Sequence, residues 1–376
     1  YNGNIIPKHG PGATADRLVG NDKYRQTTWP RRLEEYFPHG EFLLPNWRYF
    51  KEYAPYVRLL EPGDEIPVKV ITVPKTLKTP RIIAVEPTAM QYVQQGIMEI
   101  LVEGIERDEL LSNFVGFTDQ IPNQEMARIG SLNGSLATLD LSEASDRVSN
   151  QLVRNLLCYF PYASAGIDAC RSRKARVPGH GVIRLAKFAS MGSALCFPIE
   201  AMVFLTIILL GIEQDYHRPL TRRDIYDLTG KVRVYGDDII VPVEHVRSVV
   251  EKLEAFGLKV NSDKSFWTGK FRESCGKEYF NGEDVSIVRV REMLPSHRRH
   301  VKGIVSTVSL RNQMYFAGNW RVAAHLDELL RRLIPFPVVL PTSPALGRHS
   351  HLGFETQKMC RYLQKDLVRA FVVSSV

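Results

Sequence analysis

The sequence predicts an α+β fold, a small antiparallel sheet with helices packed on it, and three stretches predict it. SLATLDL (Ser135–Leu141) reads as a buried strand that ends near an aspartate. VYGDDIIVP lies within two short β-branched strands, Lys231–Tyr235 and Ile239–Val243, joined through Gly236-Asp237-Asp238 as a hairpin. An apolar run at about Leu195–Gly211 and an amphipathic one at Glu244–Phe256 read as the helices that cover the sheet.

The remaining elements follow in chain order. The first 65 residues are rich in Pro, Gly and aromatics and predict no clear element. VKVITVP (Val68–Pro74) alternates like a strand, KTLKTPR (Lys75–Arg81) is a basic loop, and IIAVE (Ile82–Glu86) is a second strand, together a hairpin with a basic tip. Pro87 opens a helix to about Ile105. Arg147–Phe160 reads as helical. Pro161–Lys187 reads as irregular and basic, through Arg171, Arg173, Lys174 and Arg176, and Phe188–Ser193 as a loop. Lys277–Phe280 and Val285–Val290 flank Asn281-Gly282, a hairpin signal, and Arg311–Ile334 is mostly helical.

A chain of 376 residues can build two or three packed units. Its 44% hydrophobic and 24% charged residues read as globular and soluble. With 49 Lys+Arg against 41 Asp+Glu the net charge is +8, which mildly favours a polyanionic partner. The five cysteines are odd in number and lack CxxC spacing, so reduced thiols and no zinc site are expected. The longest apolar run, Ala201–Ile212, is too short to span a bilayer and reads as core, so no membrane partner is expected.

The acidic residues carry the chemistry. If the Asp140 strand lies beside the hairpin, Asp140, Asp237 and Asp238 converge. Buried like charges repel, so such a cluster is a poor structural device. It suits Mg2+, which takes hard oxygen ligands and shares them with phosphates. Two such ions would activate an attacking hydroxyl and stabilise a leaving pyrophosphate. The apolar flanks argue against a plain acidic surface turn. Asp146, six residues after Asp140, reads equally as a helix N-cap or as a neighbour of a bound ribose. ASMGSALCFPIE (Ala189–Glu200) has small residues that permit close approach to a ligand or close helix packing. Lys75, Lys78 and Arg81 could grip a triphosphate or form a solvated loop. Lys264 could protonate a leaving pyrophosphate or be a surface lysine.

The order of these motifs resembles the palm of RNA-dependent RNA polymerases. More narrowly, it resembles the replicase catalytic subunit of positive-strand RNA phages, the levivirus group. The narrow match rests on TDQIPNQEMARIGSLNGSLATLDLSEASDRVS (Thr118–Ser149), VYGDDIIVP, FRESCGKEYFNGEDVSIVRVR (Phe271–Arg291) and VSLRNQMYFAGNW (Val308–Trp320). It covers about Val68–Trp320. The resemblance implies a right-hand architecture: fingers over 1–134 with the basic hairpin at 68–86, an antiparallel-sheet palm over 135–295 with a finger excursion at about 161–188, and a partial helical thumb, or the start of a C-terminal region, over 296–376.

It also implies RNA-templated synthesis from NTPs with two Mg2+ ions, or Mn2+ in their place, begun without a primer. Asp140 and Asp237 would be the principal metal ligands, with Asp238 beside them. Lys75, Lys78 and Arg81 would hold the triphosphate, Asp146 would select ribose, and Ser190 and Gly192 would support the template–nucleotide pair. Ser193 stands where the better-known members carry Asn, so the ribose contact there is in doubt or shortened. Lys264 would be the general acid, and the turn around Cys275, Gly276 and Tyr279 would position the growing 3′ end. The expected partners are single-stranded template RNA, nascent RNA, NTPs and bacterial host translation factors, in the host cytoplasm. The start at Tyr1 and the short tail after the last motif are expected of an excised core.

Three competing readings stand beside this one. A reverse transcriptase also carries a carboxylate pair at a hairpin tip, and would prefer dNTPs. A non-catalytic RNA-binding descendant would bind RNA without incorporation. A two-metal nuclease would need neither the basic hairpin nor the ordered loop and helix.

Overall fold

The computed structural model describes residues 5–43, 47–74 and 80–373. The hairpin tip with Lys75 and Lys78 lies outside the described residues. The chain divides into two compact units, one of Tyr1–Val73 with Arg81–Ser286 and one of Pro74–Pro80 with Ile287–Val376.

The first unit is organised on a three-stranded antiparallel sheet, with Asp238–Pro242 in the centre between Leu136–Asp140 and Arg233–Tyr235. Leu136–Leu139 and Ile239–Pro242 are buried without a break because both faces are covered. Alternation then sorts the side chains. Ala137, Leu139, Ile239 and Val241 join Ile199, Phe204 and Ile208 of the helix Cys196–Tyr216 in the main core. Leu136 and Ile240 point the other way, onto Met126 and Ala127 of the helix Ile121–Asn133 and onto Tyr279. Gly130 lets this helix approach, since a Cβ there would stand 2.7 Å from the Leu136 carbonyl.

Helix Cys196–Tyr216 runs past the expected end at Gly211. Its 21 residues are long and apolar enough to cross a membrane, yet it is mostly buried, with Val249 and Leu253 of the helix Val246–Ala255 in the same core. It is therefore a core helix of this unit. Trp29, Leu33 and Phe37, from the uninformative N-terminal stretch, join that core as well. Beside them Arg32 forms a two-point ion pair with Glu65, at 2.6 and 3.0 Å.

A second sheet has the order Pro80–Val85, Val68–Pro74, Lys174–Val177, Gly181–Arg184. Pro161–Lys187, expected to be irregular, instead forms the helix Pro161–Cys170 and the last two of these strands. The regularity was hidden because Gly181–Arg184 is exposed throughout and carries no core-facing alternation. A third sheet holds Phe271–Ser274, Lys277–Phe280 and only Glu283–Asp284 where Val285–Val290 was expected.

The second unit is a pair of helices, Val301–Phe316 and Trp320–Leu333, divided at Gly318, whose φ is +77°. The mostly helical stretch expected over Arg311–Ile334 is thus two helices, the first of which begins ten residues earlier, at Val301. Ile304, Val308, Leu330, Ile334 and Phe336 form its core. Arg311 grips Asp327 with two hydrogen bonds, 2.6 and 3.1 Å, in the buried layer between the helices.

Candidate active site

Tyr235 and Asp238 are register partners, so the hairpin loop is the two residues Gly236-Asp237 and Asp238 already belongs to the strand. Gly236 has φ +60° and occupies the first central position, which is the glycine demanded by a type II′ turn. A second constraint adds to this: a Cβ on Gly236 would lie 2.3 Å from the Phe197 ring. Phe197 is fixed edge-on between Phe117 and Tyr235, and the Tyr235 hydroxyl donates to the Phe117 carbonyl at 2.9 Å.

The turn delivers two unlike aspartates. Asp238 faces Asp140 across the strand pair, and its Oδ1 accepts from the Cys275 N–H at 3.1 Å and the Ser274 hydroxyl at 3.3 Å. Burial, with the charges of Asp237 and Asp140, lifts its carboxyl to about 6 despite those two donors. Among the described residues none donates a hydrogen bond to Asp237. Asp140 is held from its other side by the segment after Val260: Asn261 Nδ2 donates to Asp140 Oδ2 at 2.8 Å, and the Ser265 hydroxyl accepts from the Asp140 N–H at 3.1 Å. Lys264 lies in the single turn Ser262–Lys264 of this segment, exposed.

Cys275 and Gly276 form the turn of the next hairpin, with φ of +49° and +72°. A non-glycine residue in that region is unusual, and here it aims a backbone N–H at Asp238. Tyr279 is 8% exposed and packs in the small core with Leu136 and Ile240.

The Ser190–Ser193 loop is locked to the strand Pro80–Val85. Ala84 N–H donates to the Met191 carbonyl at 2.8 Å. Gly192 has φ +127°, and a Cβ there would meet the Ala84 oxygen at 2.0 Å. Ser190 donates a hydrogen bond to Asp146, whose carboxyl burial pushes upward. Asp146 sits inside the turn Ala144–Arg147 and does not cap the next helix, where Ser149 is the N-cap residue. The Ser193 hydroxyl donates to buried Gln94 Oε1 at 3.0 Å. Arg81 is exposed on its strand.

Among the described residues, no three His, Cys, Asp or Glu side chains close into a ready-made metal cage. The carboxylates of Asp140, Asp237 and Asp238 are nevertheless hard oxygen donors, with the Cys275 thiol beside Asp238, and no described residue donates to Asp237. That fits a cation such as Mg2+, which keeps several waters and binds through one or two carboxylates plus substrate phosphates.

Comparison with known proteins supplies the family. Residues 65–315 match the family model described as RNA replicase, beta-chain. The chain belongs to that family. This chain is 40% identical over 216 residues to the RNA-directed RNA polymerase beta chain of Enterobacteria phage fr, covering 57% of this chain and 36% of that one. It is 35% identical over 282 residues to the RNA-directed RNA polymerase subunit beta of Escherichia virus Qbeta, covering 73% and 44%. It therefore spans about two fifths of the length of these relatives. Among solved structures, the RNA-dependent RNA polymerase of a human picobirnavirus aligns at TM-score 0.47 and 11% identity, over 65% of this chain and 52% of that one. That overlap is loose.

One acidic residue close to this turn escaped the sequence reading. Glu200, on the apolar helix Cys196–Tyr216, is 6% exposed. Ser145 hydrogen-bonds to it and the Cys196 thiol approaches its Oε2 at 3.8 Å. Burial lifts its carboxyl to about 8, helped by the charges of Asp237 and Asp146. The signal was present in the sequence, since an acid inside FPIEAMVFLTIILL is out of place in a core helix unless it has a partner.

Proposed function

We propose that this chain carries the nucleotidyl-transfer centre of an RNA-directed RNA polymerase that copies single-stranded RNA from NTPs. The observation that carries this reading is the juxtaposition of Asp140 with the Gly236-Asp237-Asp238 turn, on a sheet rigidly covered on both faces. Asp140 and Asp237 would hold magnesium, with manganese as a substitute, and Asp238 would stiffen the turn from its Cys275 and Ser274 bonds. Bound there, two ions would lower the pKa of the attacking hydroxyl and neutralise the leaving pyrophosphate.

The chain's own residues do the rest. Asp146, hydrogen-bonded by Ser190, would accept from a ribose hydroxyl. Gly192 brings the loop backbone close to the nascent pair. Lys264, exposed beside the Asp140 strand, is available as proton donor to the leaving group, and Lys75, Lys78 and Arg81 supply cations for the triphosphate. Initiation without a primer, and work alongside bacterial host factors, belong to the same proposal.

The test is incorporation of labelled NTPs by the purified chain on a short single-stranded RNA template, with the product sequenced. A product complementary to the template, made from NTPs in preference to dNTPs, supports the reading. Preference for dNTPs would make the chain a reverse transcriptase. RNA binding with no incorporation, even with host factors and flanking segments supplied, would leave an RNA-binding protein.

A further inference from the structure

The sheet that includes Lys174–Val177 and Gly181–Arg184 has two unlike faces. One is apolar: Val68, Ala84 and Ala175 are buried together, with Val70, Val177 and Leu185 against them. Pleating sends the alternate residues the other way. On that side the register sets Lys69 beside Arg176 in the parallel strand pair and Lys174 opposite Arg184 in the antiparallel one. Lys174 and Arg176 are two apart on one strand, so both cationic pairs share a face.

Like charges set directly across a strand pair repel. The usual remedy, a neighbouring carboxylate, is missing: among the described residues none pairs with Lys69, Arg176 or Arg184. Glu61 pairs with Arg31, Glu65 with Arg32, and Asp168 with Arg171 and Arg173, while Asp64, next to the carbonyls that hold Lys174, forms no ion pair among the described residues. Lys174 is anchored, its Nζ donating to the Pro62 and Gly63 carbonyls at 3.0 and 2.8 Å. The apolar face fixes the register, so a one-residue slip that would disperse the cations is closed off.

We propose that this face is a docking track for the phosphodiester backbone of single-stranded RNA. The proposal rests on the reading of the chain as one that handles RNA, and adds a surface outside the carboxylate centre. Charge complementarity argues for the occupant, and openness argues for its form. The four cations span three strands on an exposed face, which suits an extended backbone and not one compact triphosphate. The sheet also continues to the Ser190–Ser193 loop through the Ala84–Met191 hydrogen bond.

The test is equilibrium binding of a labelled single-stranded RNA to the chain, without NTP or divalent metal, over a salt series. Arg176→Gln/Arg184→Gln is expected to bind severalfold more weakly whatever the RNA sequence. Its plot of log affinity against log salt should flatten by about 0.7 for each phosphate that the variant no longer neutralises. Arg222→Gln/Arg223→Gln, the same change of charge on the exposed helix Arg222–Asp227, should leave the slope of the native chain. Lys69→Gln, on the adjacent strand, repeats the test if the double variant does not fold. A sheet variant with the native slope would overturn the proposal. So would unchanged RNA affinity with a raised KM for NTP, which would make the face a triphosphate site. Because neither nucleotide nor metal is present, a chain that binds in this way but never polymerises would sink the polymerase reading alone.

Discussion

Asp140 and Asp238 are register partners on adjacent antiparallel strands, so their carboxylates leave the sheet on the same face. A sheet gains nothing in stability from such a pair, since like charges directly opposite are destabilising. Asp238 is moreover largely buried and lifted to about 6.

That shift has a definite sign. The folded-state pKa of Asp238 lies above its ordinary value of 3.8, so folding favours the neutral acid. The associated stability is complete below about pH 4 and is lost as the pH rises through 6. Two pKa units correspond to about 3 kcal/mol at most, before solvent screening. Asp238→Asn should therefore raise the melting temperature of the metal-free chain at pH 7.5 by more than it does at pH 5. Thermal unfolding at the two pH values checks this, and an equal effect at both would contradict it.

Gly236→Ala meets two obstacles at once, the positive φ and the Phe197 ring. The expected loss of stability is at least about 2 kcal/mol, more than the backbone conformation alone usually accounts for at its lower end. Adding Phe197→Leu should recover part of that loss. Urea unfolding of the single and double variants measures both, and no recovery would remove the ring from the explanation.

Glu200 is predicted to act as a neutral hydrogen-bonding acid. Glu200→Gln keeps the shape and can still bond Ser145, so stability at pH 7 should stay within about 1 kcal/mol of native. Glu200→Ala leaves a cavity and strands Ser145, and should cost about 2–4 kcal/mol. Equal losses in the two variants would show that Glu200 works as a charged group.

Asp146 and Ser190 are hydrogen-bonded to each other, so they should act on one property. Asp146→Ala is expected to narrow the preference for NTP over dNTP, and Ser190→Ala to narrow it by less. The ratio of kcat/KM for the two substrates is the measurement. An unchanged ratio in both would take the pair out of sugar selection.

The parts of the fold that were legible in the sequence are those with strong local signals. Leu136–Asp140 is a short apolar strand, and Gly236-Asp237 has the chemistry of its turn. The turn type was less plain, because the hairpin joint Gly236-Asp237-Asp238 does not itself say which residue needs positive φ; the fold sets it at Gly236, the first central residue. The pairing of Lys174–Val177 with Val68–Pro74 was not legible, because parallel register is settled by long-range contacts that no local pattern records. The partners of the site residues were equally hidden. Ser193 satisfies Gln94, and Asn261 reaches Asp140 from 121 positions away. Only the folded chain brings such pairs together.

The most direct test of the central claim is template-directed incorporation at graded Mg2+ by the native chain and Asp237→Asn, with RNA affinity measured on the same samples. The account predicts that the native chain incorporates only with the metal, and that the variant loses incorporation while keeping its RNA affinity. Metal-dependent synthesis that survives in Asp237→Asn would contradict it, because the open carboxylate of the turn would then have no part in the chemistry.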